Sequence, residues 1–467
     1  MRNSRCAAGL LSTIVLLSAL GLACVSCEAR TPPRNLLLIT VDTLRADHLG
    51  AYGSTRGLTP HIDALAERSE VFTRAYATAP YTLPSIASLM TSRYPKEVGI
   101  TANRSTLDAD AFTLAHFLSG HGFRTGAVVG NPILKRRSGM HAGFDHYDVR
   151  LPTPEEQRAL FERRAEDTTT DALKMLDRLG AQDDAHWFLW VHYQDPHGPY
   201  VPGDALREAH LPRELAEPDG KRMLPVSEDR HGTGAIPKYQ YVAPHRQVAF
   251  YRAGYAGEVA LTDREVGRLL DALEERGLME STAILFAADH GEGLGEDDCW
   301  FAHGEYLNEP MIQVPLLLSV PGGSAGARQQ VVSLIDVLPT VAGIFGLPLE
   351  QPHRGVDLTD RGRASWDRSV FFETHRPATL VPRMGVAWKG YRLVRTLGPE
   401  GPTDELTPLP DARGGAAVGE PVASRLSEEL ERLAAEAAGT SPPDPRTLSD
   451  EERDALRALG YLDDEEG

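Results

Sequence analysis

The chain has 467 residues, of which 42% are hydrophobic and 24% charged, and its formal net charge is −18. That length holds one large α/β domain with a smaller companion, and the composition is ordinary for a globular protein. So acidic a surface repels nucleic acid and anionic lipid, which argues against both as surface partners but leaves room for a local basic pocket; the plain reading of the excess Asp and Glu is a well-solvated surface.

Residues 1–27 read as an address. Arg2 and Arg5 form a short positive region, and the apolar run from Gly9 to Ala23 is short for a bilayer crossing. Two cysteines follow in Ala23-Cys24-Val25-Ser26-Cys27. The segment resembles a bacterial lipoprotein signal, in which Cys24 or Cys27 would be the lipidated first mature residue. Gly21 or Cys24 would then stand where Leu is usual, so an ordinary cleaved signal peptide is an equal alternative. Both readings export the chain to the periplasm or cell envelope, and membrane attachment would come through the lipid anchor alone. Cys6 lies in the leader too, so Cys299 is left by itself and no disulfide framework is expected.

Asn35 to Val41 (NLLLITV) is a continuous apolar run, the mark of a strand buried on both faces. Thr125 to Val129, Trp187 to Tyr193, Thr282 to Ala288 and Val314 to Val320 read alike. Between them lie helical patterns, with Val259, Val266, Leu269, Leu270 and Leu273 at helical spacing within Tyr255 to Leu273, and another from Leu334 to Phe345. The stretch from Gly203 to Pro244, rich in Pro and charge, reads as an insertion or long loop. Beyond about residue 365 come short strands (Ser369 to Glu373, Arg383 to Trp388, Tyr391 to Arg395), a Pro/Gly-rich stretch and two late helices. Ser449 and Glu452 form a capping box for the second, and Gly460 stops it. The predicted fold is α/β: a doubly wound, mostly parallel sheet flanked by helices over residues 34–350, then a smaller C-terminal α+β subdomain and helical tail over 351–467.

In an open parallel sheet, ligands collect at the carboxyl ends of the strands. Two apolar strands end there in acids: Ile39-Thr40-Val41-Asp42, and Phe286-Ala287-Ala288-Asp289-His290-Gly291-Glu292. A carboxylate straight after a buried strand is costly without a partner, and a cation is the simplest one. A helix cap or turn explains one such Asp; two of them, one followed by His, favour a metal site. In Pro80-Tyr81-Thr82-Leu83-Pro84-Ser85, Pro84 suits the first turn of a helix running on to Thr91. Thr82 then sits at the N-terminus, where free backbone N–H groups favour an ionised alkoxide. Spacing alone favours reading Thr82 as a plain N-cap.

Five motifs in order resemble the sulfatase family of the alkaline phosphatase superfamily. They are Val41-Asp42-Thr43-Leu44-Arg45-Ala46-Asp47-His48, Tyr81-Thr82-Leu83-Pro84-Ser85, Asp195-Pro196-His197-Gly198-Pro199, Ala288-Asp289-His290-Gly291-Glu292, and His303-Gly304 with Val314-Pro315-Leu316. The closing Leu456-Arg457-Ala458-Leu459-Gly460-Tyr461 is a familiar ending among bacterial members. The resemblance implies a metal-dependent ester hydrolase. It makes Asp42, Asp289 and His290 metal ligands and Thr82 the nucleophile, whose oxygen also touches the metal. It gives His197 and His303 contact with the transferred group or protonation of the leaving oxygen; by themselves they would pass for a loop and a surface histidine.

The departures from the family pattern shape the expected chemistry. Cys or Ser, oxidised to formylglycine, is usual at Thr82, and threonine cannot give that aldehyde. The single hydroxyl of Thr82 leaves an adduct that an attacking water must clear, the route of the superfamily's phosphoesterases. A second acidic ligand is usual at Thr43. His290 stands where many sulfatases have Asn, and its imidazole favours Mn²⁺ or Zn²⁺ over Ca²⁺ or Mg²⁺. Ile86 replaces a usual Arg and Asn131 stands near a usual Lys, so the grip on the anion falls to other groups, with Arg45 and Arg93 as candidates. The expected substrate is an anionic ester, of an envelope glycan or lipid headgroup. The readings carried forward are a phosphoesterase (with phospho-headgroup transfer as a variant), a formylglycine-independent sulfuric ester hydrolase, and an inactive glycan-binding relic.

Overall fold

The computed structural model describes residues 32–151, 162–180, 185–362, 367–375, 380–409, 420–438 and 453. The leader with Cys24 and Cys27, and the second late helix with Ser449, Glu452 and Gly460, lie outside these residues.

Three strands set the site. Every residue of Asn35–Val41 (β1), Trp187–Tyr193 (β5) and Thr282–Ala288 (β6) is buried. Covered on both faces, they have no polar side to show, which is why they read as unbroken apolar runs. β1 runs parallel to both neighbours, with Ile39 paired to Val191 on one side and Phe286 on the other. Beyond β5 come Arg124–Val129 (β3) and His146–Asp148 (β4), both parallel. Beyond β6 comes Leu316–Ser319 (β8), antiparallel, then Glu70–Tyr76 (β2) and, parallel to β2, Gly326–Ser333 (β9). The predicted strand from Val314 to Val320 is interrupted at Pro315, which separates β8 from Gln313–Val314 (β7). The sheet is mostly parallel, as expected.

Among the strands that escaped the sequence reading are β2 and β9. β2 (EVFTRAY) mixes polar with apolar residues, and the first half of β9 (GARQQVVS) faces solvent at the sheet edge. Neither has the apolar run that marks a strand covered on both sides.

The predicted helix from Tyr255 to Leu273 extends over Val248–Glu275, and that from Leu334 to Phe345 begins as a 3₁₀ turn before Val337–Phe345. The expectation of a long loop from Gly203 to Pro244 is corrected: Asp204–Ala216 is a helix packed on Val248–Glu275. Charged residues help to hold this helix in place. Arg207 lies 4.3 Å over the Phe250 ring, and buried Glu214 pairs with Arg56. The helix therefore shows no apolar stripe in its sequence. Among the described residues no helix is long and apolar enough to cross a membrane.

The C-terminal part is a four-stranded antiparallel meander, Val370–Glu373, Arg383–Trp388, Tyr391–Gly398 and Gly401–Pro408. Three of these strands were expected. The fourth (GPTDELTP) is mostly exposed and carries no apolar face. The helix Glu420–Ala437 covers the sheet, setting Leu426, Leu430 and Leu433 against Phe371, Val386 and Leu393.

Glu373, buried at the end of the first of these strands, meets Lys96 Nζ at 2.5 Å and fastens the small sheet to the large domain. Burial pushes its pKa up to about 7, against the pull of Lys96. An unfolded Glu titrates near 4.3. Between those values the folded chain keeps a proton that the unfolded chain has lost, so stability falls as pH rises through the window. Thermal unfolding followed from about pH 5 to about pH 8 should show a falling midpoint, and Glu373→Gln should flatten that fall.

Candidate functional site

The carboxyl ends of β5, β1 and β6 lie side by side, and their hydrogen bonding continues one residue further. Asp42 N donates to Tyr193 O at 3.0 Å and Asp289 N to Val41 O at 3.3 Å. Both aspartates are fully buried, as is His290. Two N–H groups, from Thr43 at 3.2 Å and His290 at 2.7 Å, hold Asp289 Oδ1. The other oxygen, Oδ2, is left facing His290 Nε2 at 3.7 Å, while Asp42 Oδ1 faces the same nitrogen at 3.6 Å.

The tautomer of His290 follows from its other nitrogen. Nδ1 lies 2.9 Å from Gly291 O, a carbonyl that can only accept, so the proton sits on Nδ1 and Nε2 presents a lone pair. Asp42 Oδ1, Asp289 Oδ2 and His290 Nε2 are all buried without a hydrogen-bond partner. Among the described residues no neighbouring N–H or hydroxyl reaches these three converging atoms, which repel one another unless a proton or a cation sits among them, and the donor set fits a divalent cation bound by two oxygens and one imidazole nitrogen. The electrostatics agree. Burial opposes ionisation of Asp42, but the nearby His197, His192 and His290 hold it well below the usual carboxylate range. Burial, together with the charge of Asp42, pushes Asp289 well above that range. Burial also lowers His290 to about 3.

Thr82 is the first residue of a helix, Thr82–Thr91, and Tyr81 is the residue at its N-cap, so the plain N-cap reading of Thr82 does not hold. The helix start is anchored at the acid cluster, where Ser85 Oγ donates to Asp289 O at 2.6 Å. Asn103 Oδ1 accepts from Leu83 N at 2.9 Å. Thr43, at the position of the missing second acid, adopts a φ of 55°. That is a strained conformation for a β-branched residue, held by Tyr255 OH donating to Thr43 O at 2.7 Å and by the bond from Thr43 N to Asp289.

The two further histidines join this cluster. The His197 and His303 rings lie 5.2 Å apart, and His303 lies 4.6 Å from His290. His197 Nδ1 donates to Gly198 O at 2.8 Å. His303 Nδ1 contacts Glu292 Oε1 at 3.1 Å, and Tyr200 OH donates to the other carboxyl oxygen at 3.0 Å. Burial pushes Glu292 up to about 7 and His303 down to about 4, the charge of Arg230 adding to the latter. All six residues marked by the sequence are thus gathered near one strand-end cluster. Three others were not singled out: His192, one strand over on β5; Glu292, quoted in a motif but given no role; and Arg230. Arg230 belongs to the stretch read as a loop, which packs along the His303 segment through Trp300 N to Gly232 O and Gly234 N to Asp298 O, both 2.9 Å. For His192 the signal was present: it is the histidine of an otherwise apolar and aromatic strand, the residue before its last.

The family model for Sulfatase matches residues 34–347. The chain belongs to the sulfatase family. It is 26% identical over 345 residues to an ulvan-active sulfatase of Formosa agariphila, a match that covers 70% of this chain and 64% of that enzyme. It is 26% identical over 362 residues to a choline-sulfatase of Rhizobium meliloti, covering 68% of each. Among solved structures, one determined with its substrate D-glucosamine-2-N,6-O-disulfate superposes with a TM-score of 0.71 at 18% identity, over 89% of this chain and all of the other. The phosphonate monoester hydrolase of Agrobacterium radiobacter gives 0.64 at 23% identity, over 87% and 96%. Both structures share the fold, and this sulfatase-family chain carries the ester-hydrolase domain over the matched residues.

Within that family pattern the substituted positions are now visible. Ile86 is fully buried in the apolar core. Asn131 turns to Asp42, donating from Nδ2 to Oδ2 while its Oδ1 accepts from Ile133 N at 2.7 Å. The expectation that Arg45 or Arg93 grips the anion is not supported by their contacts. Arg45 is buried and committed to Asp47 at 2.6 Å and Glu296 at 2.9 Å; Arg93 pairs with Glu97.

A divalent ion entering the cluster competes with the proton that burial keeps on Asp289. Its affinity should therefore rise with pH, by about tenfold per unit while Asp289 is protonated in the free protein. Calorimetric titration with Mn²⁺ at two pH values should show this, and Asp289→Asn should remove the dependence along with most of the affinity.

Proposed function

We propose that this chain hydrolyses a phosphate-type or sulfate-type ester in two steps, with the Thr82 hydroxyl as nucleophile and one divalent ion held by Asp42, Asp289, His290 and Thr82. The supporting observation is the convergence of three unpartnered acceptor atoms at the start of the helix that Thr82 heads. The imidazole ligand favours Mn²⁺ or Zn²⁺. Such an ion, when bound, lowers the pKa of the hydroxyl and polarises a non-bridging oxygen of the ester.

The residues of the chain do the rest. The Thr82 hydroxyl gives up its proton to solvent, its oxygen attacks phosphorus or sulfur in line, and the ester bond to the leaving oxygen breaks. His303 or His197 gives that oxygen a proton. The arriving anion favours the protonated imidazole over the neutral ring, and Glu292 beside His303 is the nearest group able to hold a proton near neutrality. Water then attacks the Thr82 adduct and restores the hydroxyl. Because a threonine adduct has no second hydroxyl to expel the group by elimination, this scheme favours phosphate esters. A sulfuric ester hydrolase working without formylglycine is the second reading, supported by the sulfatases among its relatives. The proposed substrate is an anionic ester, of an envelope glycan or lipid headgroup.

The test is hydrolysis of matched aryl phosphate monoester, phosphate diester and sulfate by protein loaded with Mn²⁺ or Zn²⁺. Thr82→Ala should lower kcat by at least about a thousandfold and Thr82→Ser should keep measurable turnover; undiminished turnover in Thr82→Ala removes Thr82 from the mechanism. Preference for the sulfate would select the second reading. With His303→Ala, an alkyl ester should lose about 10²- to 10⁴-fold while a nitrophenyl ester, whose leaving group needs no proton, loses far less; an equal loss on both would move the proton donor elsewhere.

A further inference from the structure

His192 is not used in the scheme above. It is fully buried on β5, paired in register with Thr40 of β1, two residues before Asp42. One ligand atom each from Asp42, His192 and Asp289 falls within 4.8 Å of the others. Proximity therefore offers His192 two roles, as a metal ligand or as a hydrogen-bond donor towards Asp42. The roles need opposite tautomers, because ligation through Nε2 uses its lone pair and donation uses an Nε2 proton.

The surrounding hydrogen bonds choose between them. Trp190 Nε1 donates to Thr40 Oγ1 at 2.9 Å, and an indole N–H has no capacity to accept. Thr40 Oγ1 lies 2.8 Å from His192 Nδ1. The hydroxyl has one proton to place, and of these two neighbours His192 Nδ1 alone can accept it. A proton on Nδ1 would instead aim two donors at one oxygen and bury the hydroxyl proton with no acceptor between them. The chain of donors runs from Trp190 through Thr40 to His192, and the ring proton is left on Nε2.

That proton faces Asp42 Oδ2 at 3.9 Å, an electrostatic contact longer than a formed hydrogen bond. Asn131 Nδ2 donates to the same oxygen, with its amide orientation fixed by the bond from Ile133 N to Oδ1. Two N–H groups are thus turned to Oδ2, while Oδ1 has no partner and faces the lone pair of His290 Nε2. We infer that His192 is a positioning residue: its Nε2 proton, through the electrostatic contact at 3.9 Å, supports the hydrogen bond from Asn131 in holding Asp42 Oδ2 and leaves Oδ1 as the one atom of Asp42 that takes the metal. The two histidines flanking Asp42 are opposite tautomers, His290 presenting a lone pair and His192 an N–H. The inference rests on the metal-site reading of Asp42, Asp289 and His290.

The experiment uses the whole mature protein labelled with ¹⁵N-histidine, before and after loading with ¹¹³Cd²⁺, the His192 signals being assigned by their loss in His192→Gln. The expected result is cadmium coupling to His290 Nε2 with none to His192, whose Nε2 keeps a bonded proton in both states. Coupling to His192 Nε2, or a proton on His192 Nδ1 in the unloaded protein, overturns the inference. Absence of coupling to His290 would sink the metal-site reading instead, and the tautomer in the unloaded protein would still decide that of His192. Affinity supplies a second measure. His192→Leu should weaken Mn²⁺ binding by about 10- to 100-fold, the usual effect of removing a group that orients a ligand, and His192→Gln, which keeps an N–H, should recover part of it. Thr40→Val removes the hydroxyl at nearly constant shape and should release the ring from the Nε2–H tautomer; an unchanged tautomer in that variant, or unchanged affinity in His192→Leu, overturns the inference.

Discussion

The structure is organised around two carboxylates buried at the ends of adjacent strands. Asp42 and Asp289 have no access to water, and two like charges that close cannot both persist in a dry interior. The protein keeps Asp42 ionised with histidines and lets Asp289 hold a proton that a cation can displace. The parallel register of β1 with β6 places the two acids as neighbours, since Val41 pairs with Ala288 and the next residue on each strand is the acid. A one-residue slip would turn one carboxylate to the opposite face and dissolve the site.

Backbone packing around the acids leaves little freedom. A side chain on Gly291 would come within 1.9 Å of Pro310 O, and one on Gly304 would meet the Tyr81 ring at 2.4 Å. These two contacts bring the segments carrying His290 and His303 against their neighbours. Thr43 is held in its left-handed conformation by Tyr255 and Asp289. Strain of that kind costs about 1–3 kcal/mol and persists only where the surroundings over-determine it. Here it turns the chain straight after Asp42, with Thr43 N donating to Asp289 Oδ1.

What the sequence made legible was whatever burial writes into it. β1, β5 and β6 were plain because strands covered on both faces must be apolar throughout, and the acids that end them stood out against that background. β9, the last strand of the C-terminal sheet and the helix Asp204–Ala216 were not, because each is polar on the side that would have to signal it. The same limit applies at the site. His197 and His303 were found through the family motifs alone and Thr82 also through its place at a predicted helix start, whereas the role of Asn131 depends on which oxygen of Asp42 it meets, a fact of three dimensions. Arg45 looked like an anion ligand because spacing cannot show that Asp47 and Glu296 already occupy its guanidinium.

The pair of neighbouring histidines gains meaning from the single hydroxyl of Thr82. On the proposed route the leaving group departs from the side opposite Thr82, and the water that later frees the adduct must arrive from that same side. The group that gave its proton to the leaving oxygen is then the group placed to take one from the water, so one histidine serves both halves of the reaction. Burial suits this exchange: it disfavours the charged form of His197 and His303 alike, so neither ring holds a proton firmly. Glu292, pushed up to about 7 by its own burial and in contact with His303, can hold the proton that the histidine takes from the water until the next leaving oxygen needs it. On the proposed route the buried His303–Glu292 contact would serve that exchange of protons.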